Sequence, residues 1–176
     1  MREALAREAL AREPHLAADL IEPEAAPLLA PLVSPPLDPH QAAGLDLILE
    51  GFLMHHGVAR HLSPAEPGRG VLAGDYCYAH GLVRVADSGD LFVIEALADL
   101  IALGAGLVAA GDRAALVPLW RATTVAIASR DGGDGGDMAA RYLAAKRVLR
   151  MEGDRGPMEA IAAGLPPTPE LDAALR

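Results

Sequence analysis

The sequence is short of the residues that staple small secreted domains or fill β-rich cores: 176 residues hold one cysteine, two phenylalanines, one tryptophan and three tyrosines. Cys77 alone cannot form an internal disulfide, which excludes a disulfide scaffold. Few aromatics beside abundant Ala and Leu favour helices over strands. Positive charge is also scarce. Lys and Arg number 15 against 24 Asp and Glu, giving a net charge of −9 and a pI near 5.0, so a nucleic-acid partner is not expected. No charged-then-apolar leader opens the chain, and a cytoplasmic location is the expectation. What is present is apolar: 52% of residues, with a mean hydropathy of +0.23, which argues against disorder and gives one domain enough material for a core.

The apolar content concentrates in residues 71–110, which read as two consecutive helices broken at Asp87-Ser88-Gly89. In the second, Glu95 and Asp99 are the only charges and lie one turn apart, leaving a helix that needs neighbours on several sides. It is long enough to cross a bilayer, but two carboxylates near its middle make a soluble core the cheaper reading, so no transmembrane segment is expected. In the first helix, His80, Arg84 and Asp87 share a stripe, while Asp75 shares a face with Val71, Tyr78, Ala79 and Leu82. Asp75 is either the N-cap of a helix beginning after Gly74 or a buried carboxylate with a polar or cationic partner.

Around this pair the chain divides readily. Prolines cut residues 1–39 into short helical pieces. Residues 41–58 regain helical periodicity, with Ala42, Leu45, Ile48, Leu49, Phe52 and Leu53 on one broad face, and residues 63–70 read as a loop. A helix follows over 112–129 with Asp112 as its cap, then a Gly-Asp loop over 130–137 closed by Asp137 as the next cap. In the helix 138–151, Arg141, Lys146, Arg147 and Arg150 read as a solvated face suited to the helix dipole. Short helices end the chain. The expectation is one all-α domain over 1–176, with Pro-interrupted helices to 39, a core bundle over 40–152 and short helices from 153.

The string Val71-Leu72-Ala73-Gly74-Asp75-Tyr76, followed by a small-residue helix, a break at Gly89-Asp90 and a second apolar helix, resembles the trans-isoprenyl diphosphate synthase superfamily. In its catalytic members an LxxGDY-type helix follows the helix that bears an HDDxxD magnesium motif. Here His55-His56-Gly57-Val58-Ala59-Arg60 stands in that place, so the aspartate positions carry His56, Gly57 and Arg60. None supplies the hard oxygen ligand that Mg²⁺ requires, and no second aspartate-rich motif occurs in residues 141–176. Within the superfamily the resemblance is to the non-catalytic small subunit, component I, of heterodimeric hexaprenyl or heptaprenyl diphosphate synthases. That family also places a histidine before its VLAGD-type helix, here His61 after Gly57.

The resemblance covers residues 41–110. It implies a reduced isoprenoid-synthase-like helical bundle and a regulatory or structural subunit that influences product chain length without doing chemistry. Its implied partner is a catalytic prenyl synthase large subunit, to which the Mg²⁺ would belong; no cofactor, metal or catalytic residue is implied here. The motif positions assigned structural or partner-facing roles are His55, His56, His61, Asp75, Tyr76 and Tyr78. Two alternatives stay open: a homodimeric helical interaction protein of unrelated function, whose own copy covers the apolar surface, and a divergent active prenyltransferase drawing carboxylates from Glu95 and Asp99. A metal site among His55, His56, His61 and His80 is disfavoured, because adjacent helical residues point about 100° apart.

Overall fold

Eight α-helices organise the residues described by the computed structural model, which are 10–23, 25–130, 132, 133 and 135–176. They are α1 (Pro14–Ala17), α2 (Pro39–His56), α3 (Pro67–Ala86), α4 (Leu91–Ala109), α5 (Leu116–Ala128), α6 (Gly135–Glu152), α7 (Gly156–Ala162) and α8 (Pro169–Leu175). Short 3₁₀ turns occupy Ala30–Leu32 and Arg113–Ala115. No strand occurs among the described residues, only an isolated bridge between Leu20 and Leu62, so the chain is all-α as expected. Residues 1–9, where the sequence repeats REALA, lie outside the described residues, as do Asp131 and Asp134 of the Gly-Asp loop.

Contacts divide the chain into two compact units. The first runs to Pro31 and continues from Leu37 to Gly89; the second joins Leu32–Pro36 to Asp90–Arg176. The two apolar helices that the sequence presents as a central pair therefore fall in different units, and α3 packs instead along α2. Glycine is the reason. A Cβ at Gly44 would lie 2.7 Å from the Gly81 carbonyl oxygen, and one at Gly51 would lie 2.9 Å from that of Gly74. These matches run in opposite senses, so the helices are antiparallel and touch backbone to backbone. Both glycine pairs are seven residues apart, the spacing that keeps them on one helix face through two turns.

Helix α2 is tightly specified. Asp38 accepts from the His40 and Gln41 N–H groups, Gln41 reaches back to the Asp38 N–H at 3.1 Å, and Pro39 fills the first helical position, where no N–H is needed. Two carboxylates within it are buried, Asp46 at 2% exposure and Glu50 at 1%. Asp46 accepts from the N–H groups of Leu28, Leu29 and Ala30 at 2.8–3.0 Å. Glu50, one turn on, accepts from Arg60, His61 and Leu62 at 2.8–3.2 Å. Each carboxylate thus fastens one irregular segment to α2, satisfying backbone donors that would otherwise be buried unpaired. Burial holds both carboxyl groups above their ordinary range despite these bonds and the nearby Arg60 charge.

In the second unit α5 carries the core. Leu116, Leu119, Trp120, Ala122 and Ile127 are buried, and Thr123 Oγ1 meets the Tyr142 hydroxyl at 2.9 Å. Arg121 gathers the segment after α7, donating to the Leu165 and Pro166 carbonyls at 2.7 and 3.1 Å and to Thr168 Oγ1 at 2.7 Å. Two expected caps differ: Asp112 precedes the 3₁₀ turn and makes no side-chain cap, and Asp137 lies inside the first turn of α6. By length and composition α4 is the one helix among the described residues that could cross a bilayer.

The polar edge of α4 meets α6. Lys146, expected on a solvated face, is 6% exposed and pairs with Asp99 and, at 3.5 Å, with Glu95; Arg150 reaches Asp99 at 3.0 Å. The correction is electrostatic, since a cation buried by packing is retained only if a carboxylate meets it. Burial pushes the Asp99 carboxyl up, but the hydrogen bonds and charges of Lys146 and Arg150 outweigh it and hold the group below its ordinary value of 3.8. A carboxyl lowered on folding stabilises above its unfolded value, and that contribution is lost as pH falls through the folded one. Thermal melts of the wild type are therefore expected to stay flat from about pH 7 to about pH 5 in this contribution and to fall below about pH 4. Asp99→Asn should flatten that acid limb; an unchanged limb would mean that the cluster does not set it.

Candidate functional site

Helix α3 begins at Pro67, inside the stretch that reads as a loop, because proline at the first helical position needs no N–H and has its φ preset. Asp75 consequently lies in the helix interior. It is neither an N-cap nor buried: its side chain is 64% exposed, and Oδ1 stands 3.2 Å from Nε2 of His55. Asp75→Ala is accordingly expected to change stability by no more than about 1 kcal/mol in a urea melt. A loss of several kcal/mol would restore the buried-charge reading.

His55 is the hub. It occupies the last turn of α2 and lies flat against Gly74, where a Cβ would come within 2.6 Å of its Nε2. Its ring stacks on Tyr78, with centroids 5.3 Å apart and planes at 13°. The His56 ring is 5.9 Å from that of His55 and 4.9 Å from Phe52. Burial pushes the Tyr78 phenol well above its ordinary value, and the Asp75 charge adds to the shift. The structure thus gathers His55, His56, Asp75 and Tyr78. Tyr76 instead stacks on His80 at 4.0 Å, and His61, 3% exposed, lies in the segment that Glu50 fastens.

Beside His55 opens a cleft of about 530 Å³, bordered by Leu53, Met54, Val58, Leu62, Glu66 and Val71. A second, of about 710 Å³, lies among Pro14, Leu16, Asp19, Arg69, Leu72 and Tyr76. His55, which faces Asp75, lines the first, and so does Ser63. Cys77 is fully buried, and its thiol is pushed up by burial and by the Glu50 charge, so it is a core thiol.

Among the described residues no group of three or more His, Cys, Asp or Glu side chains could hold a metal ion. One carboxylate beside imidazoles does not fit Mg²⁺, which takes oxygen ligands. Glu95 and Asp99, the other carboxylates considered, face Lys146 and Arg150. Sequence reasoning missed Asp46 and Glu50, although two carboxylates one turn apart inside an apolar run were the available signal. No protein-family model, curated protein or solved structure matches this chain.

Proposed function

We propose that the chain is a non-catalytic structural or regulatory subunit of a heteromeric polyprenyl diphosphate synthase, one that influences product chain length. The observation that carries the reading is the work done by the three residues standing where the resemblance calls for aspartates. His56 packs on Phe52. Gly57 ends α2, its N–H donating to the Leu53 carbonyl. Arg60 gives its N–H to Glu50 and its guanidinium to the Ala26 carbonyl at 2.7 Å. Together they close a helix and fasten a loop; aspartates would keep the two backbone N–H bonds but supply neither the His56 ring contact nor the Arg60 guanidinium bond to Ala26. The isoprenoid assignment rests on the resemblance of residues 71–76 and their surroundings.

Incubation of the purified chain with labelled isopentenyl diphosphate, an allylic diphosphate and Mg²⁺ tests the non-catalytic half directly. No longer prenyl product is expected. Mg²⁺-dependent elongation by the chain alone would overturn the proposal in favour of a divergent enzyme.

A further inference from the structure

We infer that the cleft between the C-terminal end of α2 and the N-terminal end of α3 docks a cationic amphipathic segment of a partner protein. Its lining is largely apolar, including Leu53, Met54 and Leu62, and it leaves Val58 83% and Val71 52% exposed. Scattered exposed apolar side chains are ordinary, but two bordering one apolar cleft make a continuous patch of the kind a protein partner covers.

The carboxylates around the patch are exposed, although Asp75 already faces His55 Nε2 at 3.2 Å. Glu66 is exposed in the lining, and Asp75 stands one turn beyond Val71 on the same side of α3. Among the described residues no Lys or Arg lines the cleft, and Arg60 and Arg69, close to it in sequence, are engaged elsewhere. Arg60 donates to the Ala26 carbonyl, and Arg69 holds Asp19 at 2.6 Å and the His15 carbonyl at 2.9 Å. Incoming Lys or Arg residues would meet these carboxylates, and a net charge of −9 draws cationic partners from a distance.

Glu66 and Asp75 are nine positions apart, about 13 Å along a helix axis but two and a half turns, so they stand on opposite sides of α3. Cations on either side of a Leu, Ile or Met that enters the cleft would therefore meet one carboxylate each. An open cleft with exposed rims favours a side chain presented on a helix over an enclosed small molecule. The inference holds whatever the partner's activity and does not rest on the prenyl synthase reading.

The test is fluorescence anisotropy with the full chain and a labelled amphipathic helix of about 18 Leu and Lys residues, against the same peptide with Glu for Lys, at about 0.1 M salt. Saturable binding of the Lys peptide is expected, with none of the Glu peptide over the same range. Val58→Asp, and separately the pair Glu66→Lys with Asp75→Lys, should each weaken binding at least about tenfold, roughly 1.4 kcal/mol. The pair Glu152→Lys with Glu170→Lys, exposed residues of the other unit, changes net charge equally and should stay within about twofold. Equal losses from the two charge reversals would overturn the inference, since only net charge would then be sensed. So would failure of the Lys peptide to bind, or a dimer of this chain that Val58→Asp dissociates, because a second copy would then fill the cleft. Circular dichroism checks folding, and should Val58→Asp unfold the chain, the two charge-reversal pairs decide the outcome.

Discussion

Glu50→Ala is expected to cost about 3–5 kcal/mol in chemical denaturation of the first unit, the largest loss from any single side chain discussed above. Truncation leaves the N–H groups of Arg60, His61 and Leu62 without their acceptor in a segment where His61 and Leu62 are buried, and removes a side chain that is itself 1% exposed. Glu50→Gln should cost far less. Oε1 accepts from all three donors, so an amide oxygen in its place keeps the His61 and Leu62 bonds and the 3.2 Å bond from Arg60, losing only the 2.9 Å bond from Arg60 to Oε2, and burial already disfavours the charge. Asp46 predicts the opposite ranking for its amide. Its bonds are split, two N–H groups on Oδ1 and Ala30 on Oδ2, so an amide nitrogen must face a donor and Asp46→Asn recovers less. If the two amides recovered stability equally, the bonding pattern would not be what fastens these segments.

The second large effect lies at the helix contact. Gly81→Ala should destabilise the first unit by about 1–3 kcal/mol, although alanine is the better helix former by about 1 kcal/mol. Its new methyl would stand 2.6 Å from Ile48 Cγ1 and 2.7 Å from the Gly44 carbonyl oxygen. Backbone cannot yield as a flexible side chain can, so α3 must move away from α2 along its length. Gly106→Ala is the control. It sits in α4 with nothing within 4 Å of the added Cβ, and should stabilise by about 0.5–1 kcal/mol. Opposite signs in paired urea melts check the account; equal signs would remove glycine packing as the reason that α2 and α3 pair.

These two predictions concern features that periodicity does not show. The helices themselves were legible: apolar spacing marks α2, α4 and α5, and the VLAGDY string marks α3. Their pairing was not, because two consecutive apolar helices look like natural neighbours, whereas glycines seven apart in α2 and α3 make the closer match. The start of α3 was obscured by a Pro-Gly-rich stretch, in which Pro67 is a helix opener and not a breaker. That one shift turned Asp75 from a cap into an exposed partner of His55. Lys146 was misread because cations near a helix end are usually solvated, while the polar edge it meets, Glu95 and Asp99, was recognised without its partner.

The site was legible only in part. Asp75 entered through its place on an apolar helix face and His55, His56 and Tyr78 through the family resemblance, and the fold brings them together at the end of the α2–α3 pair. Tyr76 and His61 entered the same way and lie with other neighbours. No spacing rule joins His55 to Asp75 across a loop of ten residues, 57–66. Nor does the sequence show that His56, Gly57 and Arg60 are engaged in closing α2.

The central claim concerns what this chain does to a catalytic partner, and one mixing experiment reaches it. A full-length prenyl synthase bearing both aspartate-rich motifs, sought first among the genes beside this one, is co-expressed with the chain, purified through a tag on one of them, and assayed for product length with and without the other. The account predicts a stoichiometric complex whose prenyl product differs in length from that of the synthase alone. A chain that elutes alone or as a homodimer, fails to co-purify, and leaves the product distribution unchanged would contradict it.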